Sequence, residues 1–363
     1  MRRIVSAAAV GASFPKYTTF SRPPLSECPA DTFDRCQAKA KDKAWLAAEA
    51  ARADARTLLI SENDLPMYVP PRDIVTPDGK PPPLNLTFLV GPTTLESDLP
   101  NVEAYFLGRD KAGYPYFVRA VGASERETIG SMVFAPPAPS ESYKLKLVSL
   151  RSVAAQLSGH EASVVAHAKS LVEWHQVARF CGKCGTKTVV QEGGLSRKCT
   201  NAQCGLPVYP RTNPVAIMVV LSPDGNRCLL GQTKARYIGN VYSCLAGFVD
   251  QGESLEDAVR RETMEEAGVP VGDVLYHSSQ PWPYSSNLML GCIAIAETDV
   301  INFDPDEMHD VKWFTKEDVK KALAGENENL QLPPPLAIAT TMVTAWVNSP
   351  ENFVTKASST SNL

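Results

Sequence analysis

Apolar and polar positions follow two periods along this chain. Between Asn85 and Val121 the apolar centres Thr87-Phe88-Leu89-Val90, Ala104-Tyr105-Phe106-Leu107 and Tyr116-Phe117-Val118 alternate with polar residues around turns, which predicts strands. Asp34 to Ile60 is rich in Ala, Lys and Leu and predicts a helical stretch. Leu150, Val153, Leu157, Val164, Ala168, Leu171 and Trp174 recur at helical spacing, so Leu147 to Val177 reads as helix. Beyond Asn213 the elements alternate. Strands are expected at Ala216–Leu221, Arg227–Gly231, Leu288–Ala296 and Val311–Phe314, and helices at Ser254–Ala267, Lys316–Ala324 and Leu336–Val347. That order predicts an α/β fold, and no internal repeat interrupts it.

At 363 residues the chain exceeds one small domain. Its 44% hydrophobic and 21% charged residues exclude wholesale disorder. The longest apolar runs, Pro214–Leu221 and Leu288–Ala296, are too short to span a bilayer, so no membrane partner is expected. Thirty-six basic against forty acidic side chains give a net charge of −4, which excludes a global pull toward nucleic acid. Residues 1–30 hold Arg2, Arg3, Lys16 and Arg22 before the first acid, Glu27. They share the composition of an organellar transit peptide but read as a disordered tail, because no helical apolar stripe runs through them.

Nine cysteines are unevenly placed. Cys181-x2-Cys184 and Cys199-x4-Cys204 are separated by fourteen residues, with Gly182, Gly185 and Gly205 beside them. Two short pairs can bring four thiolates round one tetrahedral ion, and the glycines let backbone amides approach the sulfurs. Structural Zn2+ is expected there, one per chain, with redox-active or merely buried thiols as the alternative. Four thiolates leave no open position for chemistry. The neighbouring Arg179, Lys183, Lys187, Arg197 and Lys198 read as a solvated face.

The most informative stretch runs from Gly247 to Val269. Ser254 is placed to cap a helix with Asp257 three residues on, and Gly268 to stop it. Leu255, Ala258, Val259 and Val269 form the stripe expected to dock on a core, and Glu262, Glu265 and Glu266 fall on that same stripe. Carboxylates converging on a partly buried face repel one another unless cations neutralise them, so divalent ions are expected here rather than an ordinary charged surface helix. Glu253 and Arg261 are spaced to brace the junction of loop and helix.

This segment resembles the Nudix box, Gly-x5-Glu-x7-Arg-Glu-U-x-Glu-Glu-x-Gly-U with U apolar. Every fixed position matches, and Thr263 stands where an aliphatic residue is usual. The resemblance implies a Nudix α/β/α sandwich over 211–349. It further implies Mg2+ or Mn2+ held by Glu262, Glu265, Glu266, Glu307 and the backbone carbonyl of Ala246, with Glu253 and Arg261 completing the catalytic set. The general base is one of these glutamates or a carboxylate on a later loop.

Ser279-Gln280-Pro281-Trp282-Pro283-Tyr284-Ser285-Ser286-Asn287 resembles the Ser-Gln-Pro-Trp-Pro-Phe-Pro-x-Ser signature of NADH pyrophosphatases. Its first five positions are identical, while Tyr284, Ser285 and Asn287 depart from it. An aromatic pair held by prolines offers a rigid wall for a flat base, and Gln280 can hydrogen-bond; a structural turn is the plainer alternative. The resemblance extends over the cysteine segment and to Tyr209 and Ala339, which line the substrate site in that family. It implies a smaller α+β N-terminal domain over 31–150, helix and zinc ribbon over 151–210, and a homodimer. The expected reaction splits NADH or NAD into nicotinamide mononucleotide and AMP, and the same cleavage removes NAD caps from RNA. Alternatives are a Nudix hydrolase of ADP-ribose or a diadenosine polyphosphate, or a non-catalytic module binding NAD or RNA. Within the polar tail, 350–363, Ser361-Asn362-Leu363 approximates a peroxisomal targeting tripeptide. An import receptor as partner and the peroxisome as location are therefore expected, with cytoplasm as the alternative and mitochondrion behind it.

Overall fold

A computed structural model describes residues 33–70, 84–91, 104–122, 134–135, 142–234 and 239–349; the two expected tails, 1–30 and 350–363, lie outside the described residues. The chain divides into two compact units, one carrying the described residues up to Asn213 together with Pro281–Asn287, the other carrying the remainder.

In the first unit, β1 (Phe33–Asp34), α1 (Lys43–Ala50), β2 (Arg56–Ile60), β3 (Asp64–Val69), β4 (Asn85–Leu86), β5 (Phe88–Val90), β6 (Ala104–Asp110), β7 (Pro115–Ala120), β8 (Phe134–Ala135) and β9 (Lys144–Ser149) precede α2 (Leu150–Val153) and α3 (Gly159–Val177). The larger sheet has the order β1-β6-β7-β2-β5-β8, with β2 and β7 parallel. Helix α3 packs across β2, β6 and β7, while Leu46, Ala50, Phe106 and Phe117 belong to a separate buried cluster.

The Ala-rich stretch includes a helix as expected, Lys43–Ala50, and its end, Arg56–Ile60, is a strand inside the sheet. Leu58, Leu59 and Ile60 are all buried, so β2 shows no alternation by which to tell it from helix. The long helix expected from Leu147 needs correction, because it is divided. Leu145 and Leu147 pair with Tyr68 and Pro66 in the β9–β3 ladder. The helix proper then restarts at a capping box, where Ser158 Oγ accepts from the Glu161 N–H and the Glu161 carboxylate from the Ser158 N–H.

Strands β10 (Thr188–Gln191), β11 (Ser196–Cys199) and β12 (Pro207–Val208) form an antiparallel ribbon. Arg197 of β11 is buried and donates to Thr188 Oγ1, the Thr188 carbonyl and Nδ1 of His175 on α3. With Nδ1 accepting, the ring proton sits on Nε2, which donates to the Gly194 carbonyl at 2.9 Å. His175 also stacks on Tyr105 at 3.7 Å, so one neutral ring joins helix, sheet and ribbon.

The second unit is built on β13 (Asn213–Leu221), β14 (Arg227–Thr233), β15 (Leu245–Phe248), α4 (Leu255–Ala267), β16 (Val271–Trp282), β17 (Asn287–Ala296), β18 (Met308–Thr315), α5 (Lys316–Ala324) and α6 (Ile338–Asn348), with the end residues Asn213, Pro281, Trp282 and Asn287 counted in the first. The sheet order is β16-β17-β13-β14-β18, with β15 paired to β13. Alternate residues of β13 serve two cores. Ile217, Val219 and Leu221 pack with Met342, Val343 and Trp346 of α6, whereas Ala216, Met218 and Val220 pack with Ala258, Val259 and Ala267 of α4. A sheet buried on both faces by helices is the α/β/α sandwich expected from the sequence.

Candidate active site

Helix α4 carries the acidic positions, and its ends fix where they point. Ser254 Oγ accepts from the Asp257 N–H at 3.1 Å, as expected of the cap. Gly268 stops the helix in the left-handed conformation at φ 67°; a side chain there would also collide with the Asn302 carbonyl. Thr263 is fully buried and returns its hydroxyl to the Val259 carbonyl at 2.7 Å, so it fills the aliphatic position without an orphaned polar group.

The three glutamates are not equally placed. Glu266 is buried at 5% exposure, the Glu262 side chain is 12% exposed, and the Glu265 side chain is 52% exposed at the rim. The three carboxylates expected on one partly buried face thus differ in burial, two inside and one at the edge. Glu266 accepts from the Ala246 N–H of β15 at 3.3 Å. Burial first, then the charges of Glu262, Glu307 and Glu265, push its carboxyl up to about 8. Glu262 is raised by burial, against the pull of Arg261. Glu307, in the turn before β18, is exposed, yet its charge is felt by both inner glutamates.

Arg261 organises the entrance. Its Nε and Nη2 grip both Glu253 oxygens at 2.8 and 2.9 Å, and Nη2 also donates to the Phe248 carbonyl at 2.8 Å. Nη1 reaches Glu262 at 2.8 Å and Glu265 at 2.9 Å. Held first by Arg261 and then by the Asp250 N–H, Glu253 stays ionised down to about 2. The brace inferred from spacing is thus a bidentate clamp. It spends the guanidinium on Glu253, Glu262 and Glu265 and leaves Glu266 to Ala246.

An all-oxygen set of carboxylates, with the innermost forced toward protonation by burial and then by its neighbours, suits a hard divalent cation. A cation there would remove the mutual repulsion that raises Glu266. In the other unit, the Sγ atoms of Cys181, Cys184, Cys199 and Cys204 all lie within 4.8 Å of one another. Cys181 and Cys204 are 3.8 Å apart, and Cys184 and Cys199 3.5 Å. Four sulfurs about 2.3 Å from a central ion stand roughly 3.8 Å apart, so the quartet fits tetrahedral zinc.

The signature residues fall in both units. Gln280 is fully buried, and both ends of its amide bond backbone near the start of α6. Ala339, second in α6, is 4% exposed and accepts the Cys244 thiol at 3.9 Å. Trp282 and Tyr284 meet edge to face at 5.5 Å, and Arg151 of α2 lies over the Tyr284 ring at 4.6 Å. Pro283 is buried, while Pro281 and Ser285 are exposed. Asn213 donates its N–H to the Ser286 carbonyl and its side-chain amide to Asn287 Oδ1. Tyr209 is exposed at 60%, just past β12. Sequence reasoning missed Arg151 and Asn213. Neither carries a local signal, since each acts on residues more than sixty positions away.

The fold and its acidic helix define a Nudix domain, and family models agree: the NUDIX domain matches residues 212–332, the NADH pyrophosphatase zinc ribbon domain 178–209, and the NADH pyrophosphatase-like rudimentary NUDIX domain 43–174. The NAD-capped RNA hydrolase NudC of Mycobacterium bovis is 31% identical over 335 residues, covering 90% of this chain and 95% of that protein. The chain belongs to the NADH pyrophosphatase family of Nudix hydrolases. Nudix hydrolase 19, chloroplastic, of Arabidopsis thaliana is 40% identical over 252 residues, covering 56% of this chain and 57% of that protein. The NAD-capped RNA hydrolase NUDT12 of Macaca fascicularis is 46% identical over 205 residues, covering 54% and 44%. The chain thus spans about half the length of these last two relatives.

Proposed function

We propose that this chain hydrolyses the diphosphate of NADH or NAD, giving nicotinamide mononucleotide (reduced or oxidised) and AMP. The observation that carries the reading is Glu266: a buried carboxyl group, held by the Ala246 N–H and pushed up by burial and by the charges of Glu262, Glu307 and Glu265. Water adds across the P–O–P linkage, one phosphorus taking the new oxygen and the other leaving with the bridging oxygen. Glu262, Glu265, Glu266, Glu307 and the Ala246 carbonyl would hold Mg2+ or Mn2+, which neutralises the diphosphate and lowers the pKa of the attacking water. Arg261 and Glu253 keep the acidic helix and its preceding loop in register, so the carboxylates are positioned before substrate arrives. Trp282 and Tyr284 supply a wall for a flat base, and Tyr209 and Ala339 stand at positions that touch substrate in the family the chain resembles.

Relatives named as NAD-capped RNA hydrolases support the 5′ NAD cap of an RNA as a second substrate with the same scissile bond. The reading includes a homodimer, supported by the exposed apolar side chains of Val177 (80%), Phe180 (58%) and Tyr209 around the ribbon. It also includes peroxisomal residence through Ser361-Asn362-Leu363. A fluorescent protein carrying the last ten residues should become punctate with a peroxisomal marker, and diffuse fluorescence would refute that address.

The function itself is tested by a panel of NADH, NAD, ADP-ribose, a diadenosine polyphosphate and NAD-capped RNA with Mg2+ or Mn2+. Chromatography should find AMP and the mononucleotide from NADH. Cleavage of ADP-ribose with NADH left intact would overturn the reading.

A further inference from the structure

Gln280 is wholly buried, at 0% exposure. Its Nε2 donates to the Leu336 carbonyl at 2.9 Å, and its Oε1 accepts from the Ile338 N–H at 2.8 Å. Helix α6 begins at Ile338 behind Ala337, a residue with no side chain able to cap it. Ser254 caps α4 and Thr315 caps α5 from the adjoining position. For α6 that task falls to an amide fifty-eight residues away in sequence. The same amide ties down the carbonyl two residues earlier, in a segment that follows three prolines, Pro333 to Pro335, which carry no N–H of their own.

What is stapled this way leads to the acidic site. The Ala339 carbonyl accepts the thiol of Cys244, and two residues beyond Cys244 the Ala246 N–H holds Glu266. We infer that Gln280 is a positioning residue: it fixes the start of α6, and with it the Ala339 wall of the nucleotide site, without touching substrate. This differs from a role for Gln280 in hydrogen-bonding the bound base. A glutamine that read the base would have to turn a polar end toward it, whereas here each end is already bonded to backbone and the side chain is shut away from solvent. The inference rests on the dinucleotide hydrolase reading.

The test uses the full chain with Mg2+ and NADH. Gln280→Met keeps the volume and removes both hydrogen bonds. Its KM should rise about tenfold or more while kcat stays within about threefold, because binding is disturbed and the acidic helix is intact. Amide hydrogen exchange at Ile338 and Ala339 should lose protection. Unchanged KM, or a fall in kcat at unchanged KM, overturns the inference. Gln280→Glu keeps an acceptor for Ile338 but loses the donor to Leu336. Should the methionine variant not fold, raised KM with Ile338 still protected is the supporting result, and wild-type KM the overturning one. If the wild-type chain cleaves no dinucleotide, the functional reading fails by itself. Exchange at Ile338 still decides the staple: lost protection in Gln280→Met supports it, and unchanged protection overturns it.

Discussion

A methyl group at Gly247 would occupy the space now filled by the carboxyl group of Glu262. The Glu262 carboxyl carbon would stand well inside van der Waals contact of an added Cβ, so the first residue of the box is a glycine for reasons of volume. Gly247→Ala should push Glu262 out of line and lower turnover by on the order of 100-fold, as loss of one transition-state stabilising group does. Circular dichroism should show an unchanged fold, and near-normal turnover would remove Glu262 from the site.

Glu266→Gln keeps the shape and the Ala246 contact but cannot ionise to hold a cation. Turnover should fall by on the order of 100-fold or more, and thermal stability should hold near pH 7, where the buried carboxyl is already largely protonated, and rise above pH 8, where its ionisation costs stability. Replacing Glu265 should also reduce turnover. Glu256, exposed on the same helix, should tolerate replacement with little change, and kinetics on the three variants side by side would separate ligands from bystanders.

How far the sequence carried this reading depended on whether the interactions were local. The box was legible because its spacing encodes one helix, one cap and one clamp, all within Gly247 to Val269. The cysteine quartet was legible for the same reason. Leu58-Leu59-Ile60 was not, because a strand buried on both faces has no period to display. The unequal burial of Glu262, Glu265 and Glu266 was hidden too, as helical spacing places residues on a face but does not say where the rim falls. Gln280 was singled out by its motif, yet its partners, Leu336 and Ile338, lie where only the folded sheet brings them.

His175 predicts a loss of stability in acid. Burial chiefly, with Arg197's charge adding to it, depresses its pKa from 6.5 to about 3, against a smaller opposing effect of the Gly194 bond. The unfolded chain therefore takes up a proton below pH 6.5 that the folded chain refuses, so stability falls as pH drops from 6.5 toward 3. The slope from this residue alone is about 1.4 kcal/mol per pH unit. Urea denaturation between pH 7 and 4.5 measures it. Nitrogen NMR should find the ring neutral and Nε2-protonated at pH 5; a charged ring there would refute the assignment.

Zinc and the ribbon should stand or fall together. With Sγ atoms 3.5 and 3.8 Å apart in pairs and little hydrophobic core in the ribbon itself, the ion supplies much of what holds β10, β11 and β12. Elemental mass spectrometry on the purified chain should find one zinc per chain. Cys184→Ser should release it, because three thiolates and a hydroxyl bind zinc more weakly, and the melting temperature should fall by several degrees. The fall in activity should track the fraction unfolded, since a closed tetrahedral site leaves zinc no position for substrate. A zinc-free variant that keeps its melting temperature, or wild-type protein that contains no zinc, would show that the four thiols serve another purpose.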